Sequence, residues 1–405
     1  MKNIKKEIDI IANSMVEPGL SGGNRIFIEI AKCWTKEGVK INIYSSEVGK
    51  DICLGNGLSL ASFYTWSIPK FFKRKKVFSR FDIFLLYLLG FINAVVYSKN
   101  LGKLKKNIIW TTSDYWPDSL VGIIAKILDK NVFWIGSLFL FAPNPFVGFK
   151  EKGSKTLPSI KNIAFYLTQK PIYYLTKKMA DLVFVTSQPD KDRFVQAGME
   201  PEKVVVIHGG VDTHWADEYL AKKQKEKKEF EACFMGRFHP QKGVLELIDI
   251  WRKVCETGKQ ARLVMIGDGE LMPEVKNKIK IKGLEKNIIL KGFLGDGEEK
   301  FNIFKKSRII LHPAVYDSGG MAAAEAMAWG LPGVSFDLEA LKTYYPSGIL
   351  KARIGDQKHF AELVLKLLQD NSLYYNTSTQ ARNLILKQWG WKPKADLLKK
   401  IIFDQ

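Results

Sequence analysis

Four charged side chains in the second half of the chain have the types and spacing needed to hold an anionic group. The stretch His312-Pro-Ala-Val-Tyr-Asp-Ser-Gly-Gly-Met-Ala-Ala-Ala-Glu-Ala-Met-Ala-Trp-Gly-Leu-Pro332 reads as a strand end, a turn and a helix opening at about Gly320. The first-turn N–H groups of a helix lack intrahelical partners, and paired glycines let a phosphate approach the backbone. Ala322, Ala323, Ala324, Ala326 and Ala328 leave that helix almost no polar face, so Glu325 is expected to be a buried carboxylate. Such a group needs donors, which ribose hydroxyls would supply. An exposed glutamate on a surface helix is the plainer alternative. Asp317, eight residues earlier, is either a second functional carboxylate or ordinary Asp-Ser-Gly turn chemistry.

The other two groups lie in Phe234-Met-Gly-Arg-Phe-His-Pro-Gln-Lys-Gly243, a strand end and loop before the helix 244–257. A diphosphate leaving group gains charge as its bond to a sugar breaks. Without a metal, positioned cations must meet that charge, and Arg237 offers a fork and Lys242 a point charge. Two surface cations in a basic protein would look the same. Gly267-Asp-Gly269 closes another strand, a weak signal alone. Gly19-Leu-Ser-Gly-Gly-Asn-Arg25 joins the first strand to the first helix and is either a phosphate-facing turn or a plain one. All five histidines lie after residue 207, which excludes a histidine base on any of the first six expected strands or the helices between them. No Cys/His cluster has metal spacing, and the four cysteines form no CxxC pair. Asp190-Lys-Asp192 opens a helix, where acids are favoured by the dipole alone.

The elements that must position these groups alternate. Residues 7–12, 40–45, 107–112, 131–136, 181–186 and 204–207 are short apolar runs separated by turn residues and longer helical stretches. The pattern restarts with strands at 230–235, 262–267, 287–291, 308–311 and 333–336. Continuous apolar runs suit parallel strands covered on both faces. The expected class is α/β, with two doubly wound domains facing a cleft lined by the carboxyl ends of both sheets. The charged stretch Ala221–Glu229 marks the boundary, and 389–405 reads as a terminal helix.

Composition bounds the rest. The chain has 405 residues, 46% of them apolar and 26% charged, as in ordinary globular proteins. The apolar run 81–97 is interrupted by Asp82 and Asn93, and is expected to be a buried helix rather than a membrane span. Asp9 breaks the opening stretch before an export signal forms, so a cytoplasmic protein is expected. The net charge is +20, and residues 1–210 carry 30 Lys/Arg against 17 Asp/Glu. Cations alternate with aromatics at Phe71, Phe72, Lys73, Arg74, Lys75 and Lys76. That suits either peripheral contact with an anionic membrane or a solvated lysine-rich face. No nucleic-acid motif accompanies the charge.

Over residues 204–390 the chain resembles the retaining, metal-independent glycosyltransferases of family 4, which have the GT-B fold. Val206-Ile-His-Gly-Gly-Val-Asp212 resembles the family's "iPNGVD" element, and Met235-Gly-Arg with Gln241-Lys-Gly243 its "GRl…KG". Ile266-Gly-Asp-Gly-Glu270 and Leu290-Lys-Gly-Phe293 resemble "vGdGp" and "f.G.". Asp317 through Glu325 resembles the E-x7-E segment, running on into Glu325-Ala-Met-Ala-Trp-Gly-Leu-Pro332.

The resemblance implies an acceptor domain over 1–212, a linker over 213–229, a nucleotide-sugar domain over 230–388 and a C-terminal helix over 389–405 that returns to the first domain. It implies that Arg237 and Lys242 bind a UDP- or GDP-linked diphosphate, Glu325 the ribose and Asp317 the sugar. Gly22, Gly23, Gly236, Gly267, Phe293, Leu294, Ser318, Gly319, Gly320, Met321 and Ala322 would complete the donor site, with no metal and no cofactor. The partner would be a glycan or lipid-linked acceptor in polysaccharide assembly. Three departures stand out. Asp317 is a methylene shorter than the family's Glu, Ser318-Gly319-Gly320 replaces Gly-aromatic-Gly, and Gly136 or Ser137 stands where a histidine is expected. The last departure also fits a catalytically silent GT-B subunit. A sugar-nucleotide epimerase would need acid and base groups around the sugar, and no histidine precedes residue 208.

Overall fold

The computed structural model describes residues 6–17, 19–69, 72, 80–101, 108–148, 160–222, 226–257 and 261–404. The chain forms two compact units. One comprises residues 1–145, 158–207 and 391–405, the other 146–157 and 208–390.

The first unit is built on seven strands: β1 (Glu7–Ala12), β2 (Lys40–Ser46), β3 (Ser62–Trp66), β4 (Ile108–Thr111), β5 (Phe133–Leu138), β6 (Leu182–Val185) and β7 (Val204–Val206). They pair in parallel in the order β3-β2-β1-β4-β5-β6-β7. Central strands such as β6 are buried along their whole length, which is why the sequence shows unbroken apolar runs there. At the edge, β3 is mostly exposed and has no such run, so sequence periodicity missed it. Trp34, Trp110 and Phe184 meet edge-on or tilted in the core. Ser21, Ser46 and Ser187 cap the helices Gly22–Lys36, Glu47–Gly55 and Gln188–Gln196. The terminal helix Trp391–Phe403 lies against Gly22–Lys36, where Trp34 Nε1 donates to Ala395 O at 2.7 Å and Glu37 pairs with Lys392 and Lys399.

Two expectations for this unit are corrected. Phe72, expected at a membrane surface, is 1% exposed and packs with Val16, Trp66, Ile68 and Leu86. The apolar neighbours outcompete any outer surface for that ring. Phe71, Lys73, Arg74, Lys75 and Lys76 lie outside the described residues. The helix Arg80–Leu101, expected to be buried, buries only one side, because its neighbour Trp116–Leu128 covers a single face. Among the described residues, no helix is long and apolar enough to cross a membrane.

The second unit has six parallel strands: β8 (Phe230–Met235), β9 (Leu263–Ile266), β10 (Ile288–Gly292), β11 (Ser307–His312), β12 (Gly333–Phe336) and β13 (Ile349–Ala352). Their order is β10-β9-β8-β11-β12-β13. Edge strand β13 was another that the apolar-run criterion passed over. The segment 213–220, read from sequence as linker, contains the helix His214–Leu220, which buries Ala216 and Tyr219. In this sheet, β8 and β11 are neighbours whose successors are laid down on opposite sides. Such a switch point parts the loops at the strand ends and leaves a crevice.

Candidate active site

The predicted groups of the second unit gather around that switch point. Arg237 and Lys242 follow β8, His312 ends β11 and Asp317 follows it. The loops are pinned by backbone. Phe238 N–H donates to Asp268 O at 2.8 Å, Leu271 N–H to Phe238 O at 3.1 Å, and Val315 N–H to Gln241 O at 3.0 Å. Glycine is required at two of the contacts. Gly243 has φ +64°, and a Cβ there would lie 2.0 Å from Pro313 O; Gly267 has φ +142°, and its Cβ would lie 1.9 Å from Gly236 O. The signature glycines therefore bring loop backbones together.

Within this frame Lys242 and Asp317, 75 residues apart in sequence, are in direct contact at 2.6 Å. The second oxygen of Asp317 accepts from Ser318 N–H at 2.8 Å and Gly319 N–H at 3.3 Å. His312 Nε2 stands 3.3 Å from the carboxylate. Burial by itself raises the Asp317 pKa, but Lys242 and His312 outweigh it and hold the carboxyl well below the usual carboxylate range. Asp317 is thus ionised and accepts hydrogen bonds only. Asp317 thus makes the turn hydrogen bonds that Asp-Ser-Gly chemistry expects and pairs with Lys242 as well. Arg237 is exposed at the loop surface.

Glu325 lies on the helix Met321–Met327, a single short element of seven residues among buried Ala323, Ala324 and Ala326. Its side chain is 14% exposed, so the inference of burial from the alanine surround holds. The donor that burial demands is Lys300, whose Nζ lies 2.6 Å from Glu325 Oε2 and also binds Asp296. Sequence reasoning missed Lys300. The available signal was its place three and four residues before Ile303 and Phe304, the buried face of the helix Glu298–Lys306.

Other predicted positions fall as follows. Gly320 precedes the helix with φ +60°, and its carbonyl accepts from Tyr345 Oη at 2.5 Å. Ser318, Gly319, Met321 and Ala322 are half-buried beside it. Gly209 packs so closely on Met321 that a Cβ would meet its Cγ at 2.3 Å, joining the 206–212 motif to this helix. Phe293 is 73% exposed at the end of β10, and Leu294 is half-buried. Gly22 and Gly23 open the helix Gly22–Lys36 of the first unit. Ser137 lies within β5, its Oγ accepting from Trp110 Nε1 at 2.8 Å, and a Cβ on Gly136 would press on Thr176 at 2.7 Å. Asp190 bonds to the capping Ser187 at 2.6 Å. Among the described residues, no three His, Cys, Asp or Glu side chains gather as a metal site.

Two parallel doubly wound units, the second with Lys242 and Asp317 paired at its switch point, form the GT-B fold, which solved glycosyltransferase structures share. The match extends to known proteins. Residues 216–384 match the family model described as glycosyl transferases group 1. An uncharacterized glycosyltransferase of Methanocaldococcus jannaschii, MJ1069, is 26% identical over 315 residues, 75% of this chain and 76% of that protein. The Escherichia coli UDP-Gal:alpha-D-GlcNAc-diphosphoundecaprenol alpha-1,3-galactosyltransferase is 24% identical over 220 residues, 51% of this chain and 55% of its own. The crystal structure of Anabaena Alr3699/HepE in complex with UDP and glucose superposes with a TM-score of 0.70 at 16% identity, covering 99% of this chain and 100% of that one. The chain is a glycosyltransferase, and the stretch of its second unit over residues 216–384 is similar to the group 1 model.

Proposed function

We propose that this glycosyltransferase is a retaining, metal-independent member of family 4. It moves a sugar from a UDP- or GDP-linked donor to a hydroxyl of a glycan or lipid-linked acceptor in glycoconjugate assembly. The observation that carries this reading is the meeting of Lys242 and Asp317 at the switch point, with Arg237 on the same loop as Lys242. The names of the compared proteins support it: the E. coli relative is named for a UDP-Gal donor and a diphosphoundecaprenol-linked acceptor, and the Anabaena structure holds UDP and glucose.

The donor's diphosphate would sit against Arg237, Lys242 and the backbone N–H groups of Gly320, Met321 and Ala322. An ammonium has three donors, so Lys242 can keep Asp317 and still reach a phosphate oxygen. The ionised Asp317 would accept from sugar hydroxyls, Glu325 from the ribose hydroxyls, and the exposed Phe293 would stack on the base. As the anomeric C–O bond to the diphosphate breaks, these fixed charges stabilise the leaving group. The acceptor oxygen bonds to the same face of the sugar, and its proton passes to the departing phosphate oxygen. The acceptor is assigned to the first unit.

The test is transfer from a panel of nucleotide sugars with the product anomer read by NMR. Turnover that survives a chelator and retains configuration is expected, and Lys242→Ala should abolish it while nucleotide-free folding persists. An inverted product or chelator-sensitive turnover would overturn the reading. A second reading, a catalytically silent subunit, is favoured by Ser137, whose hydroxyl is committed to Trp110 where the family has a histidine. Nucleotide binding without turnover of any donor would establish that alternative.

A further inference from the structure

The helix Arg80–Leu101 has two unlike apolar faces. Leu86, Gly90 and Ala94 are buried, together with Asp82, against the first unit. Leu86 joins the cluster around Trp66 and Phe72, Ala94 joins that around Ile11 and Ile109, and Gly90 lies so close to Pro117 that a Cβ would meet its side chain at 3.1 Å. That accounts for the inner face. Phe81, Phe84, Leu88, Phe91, Ile92 and Val96 are between 37% and 67% exposed. At ~100° per residue they occupy one outward arc of roughly 140°, opposite the buried set. A water-facing helix normally turns charge outward, and a contiguous exposed apolar strip marks a contact surface.

Charge selects the partner. Residues 52–113 contain ten Lys/Arg and one acid, Asp82. Asp82 is 3% exposed, on the inward side. The apolar face therefore lies within a strongly cationic stretch of sequence, with cations at 73–76 before the helix and at 99–106 beyond its exposed strip. We propose that the outward face of Arg80–Leu101 docks the protein on an anionic lipid bilayer, its apolar side chains entering the headgroup boundary and the net positive charge of the 52–113 sequence selecting anionic lipid. The helix lies on the membrane and does not cross it, consistent with the absence of a spanning helix among the described residues. This surface goes beyond the transfer reading and does not depend on it: docking is measured without turnover, so either can fail alone. It also moves the membrane contact from Phe72, which is buried, to a neighbouring element.

The experiment is co-sedimentation of the full chain with vesicles of equal parts phosphatidylglycerol and phosphatidylcholine, and with phosphatidylcholine alone. The wild type is expected to bind the mixed vesicles and to bind the uncharged ones far less. A triple variant, Phe84→Ser with Leu88→Ser and Ile92→Ser, keeps every cation, and its partition should fall about tenfold or more with an unchanged urea midpoint. If the triple variant does not fold, the single changes Phe84→Ser and Ile92→Ser should each weaken partition. Failure of the wild type to bind mixed vesicles, equal binding to both vesicle types, or unchanged partition of the folded variants would overturn the proposal. So would a wild-type dimer in lipid-free buffer that the substitutions dissociate, which would make this face an interface between two copies.

Discussion

Lys300 is 4% exposed and bound to two carboxylates, Asp296 and Glu325, so its charge is tolerated only because both partners are present. Removing one member of a buried ion pair leaves the other uncompensated, at a cost of about 3–5 kcal/mol, whereas replacing both by apolar groups costs far less. Lys300→Met is therefore expected to lower the urea midpoint sharply, and Lys300→Met combined with Glu325→Met to recover much of the loss. Equal losses in the single and double variants would show that the pair is not the source. Here the limit of sequence reading is clear. The burial of Glu325 was legible because its neighbours are alanines a few positions away. The partner was not, because lysines are usually exposed and this one meets its glutamate across 25 residues.

At the scale of elements, the loop glycines decide whether the strand ends can meet. Gly243 and Gly283 both have φ near +65°, but a Cβ on Gly243 would strike Pro313 O while one on Gly283 would meet nothing within 4 Å. Gly283→Ala should thus cost only the backbone strain, about 1 kcal/mol. Gly243→Ala should cost about 2 kcal/mol more, and weaken nucleotide binding by prising Lys242 from Asp317. Matched urea unfolding and calorimetric titration with UDP would check this, and equal behaviour of the two variants would refute it. Central strands were legible as unbroken apolar runs, which burial on both faces requires. Strands Ser62–Trp66 and Ile349–Ala352 were not, since Ser62 and Thr65 in one and Lys351 in the other break up the apolar run.

The two units of the molecule should respond differently to acid. In the first, Asp9, Asp118 and Asp190 are each pushed up to about 6 by burial, which outweighs the hydrogen bonds from Asn42, Ser113 and Ser187 that lower them. Between about pH 6 and 4 the folded unit then binds more protons than the unfolded chain, so its stability rises as pH falls, by about 1 kcal/mol per group at pH 5. No histidine lies in this unit to confuse the window. Glu37, held at about 2 by Lys392 and Lys399, loses its contribution only below the unfolded value of 4.5. In the second unit the depressed Asp317 stabilises above the unfolded value and weakens only as pH drops below it. Fully buried Cys53 and Cys233 report one unit each. Labelling them in urea with a pyridyl disulfide that reacts in mild acid should give Cys53 a higher midpoint at pH 5 than at pH 7.5 and leave Cys233 without that gain. A lower Cys53 midpoint at pH 5 would contradict the assignment. Taken by itself, the chain's order of residues determined the alternating α/β architecture and the restart of the pattern, because strand burial and glycine turns are local demands written in local sequence. Only the tertiary structure decided that Lys242 pairs with Asp317, that Lys300 holds Glu325, that Phe72 turns inward and that the helix after it turns its aromatic face outward. Those outcomes depend on which surfaces meet across long stretches of chain, and periodicity along one segment carries no record of its neighbours.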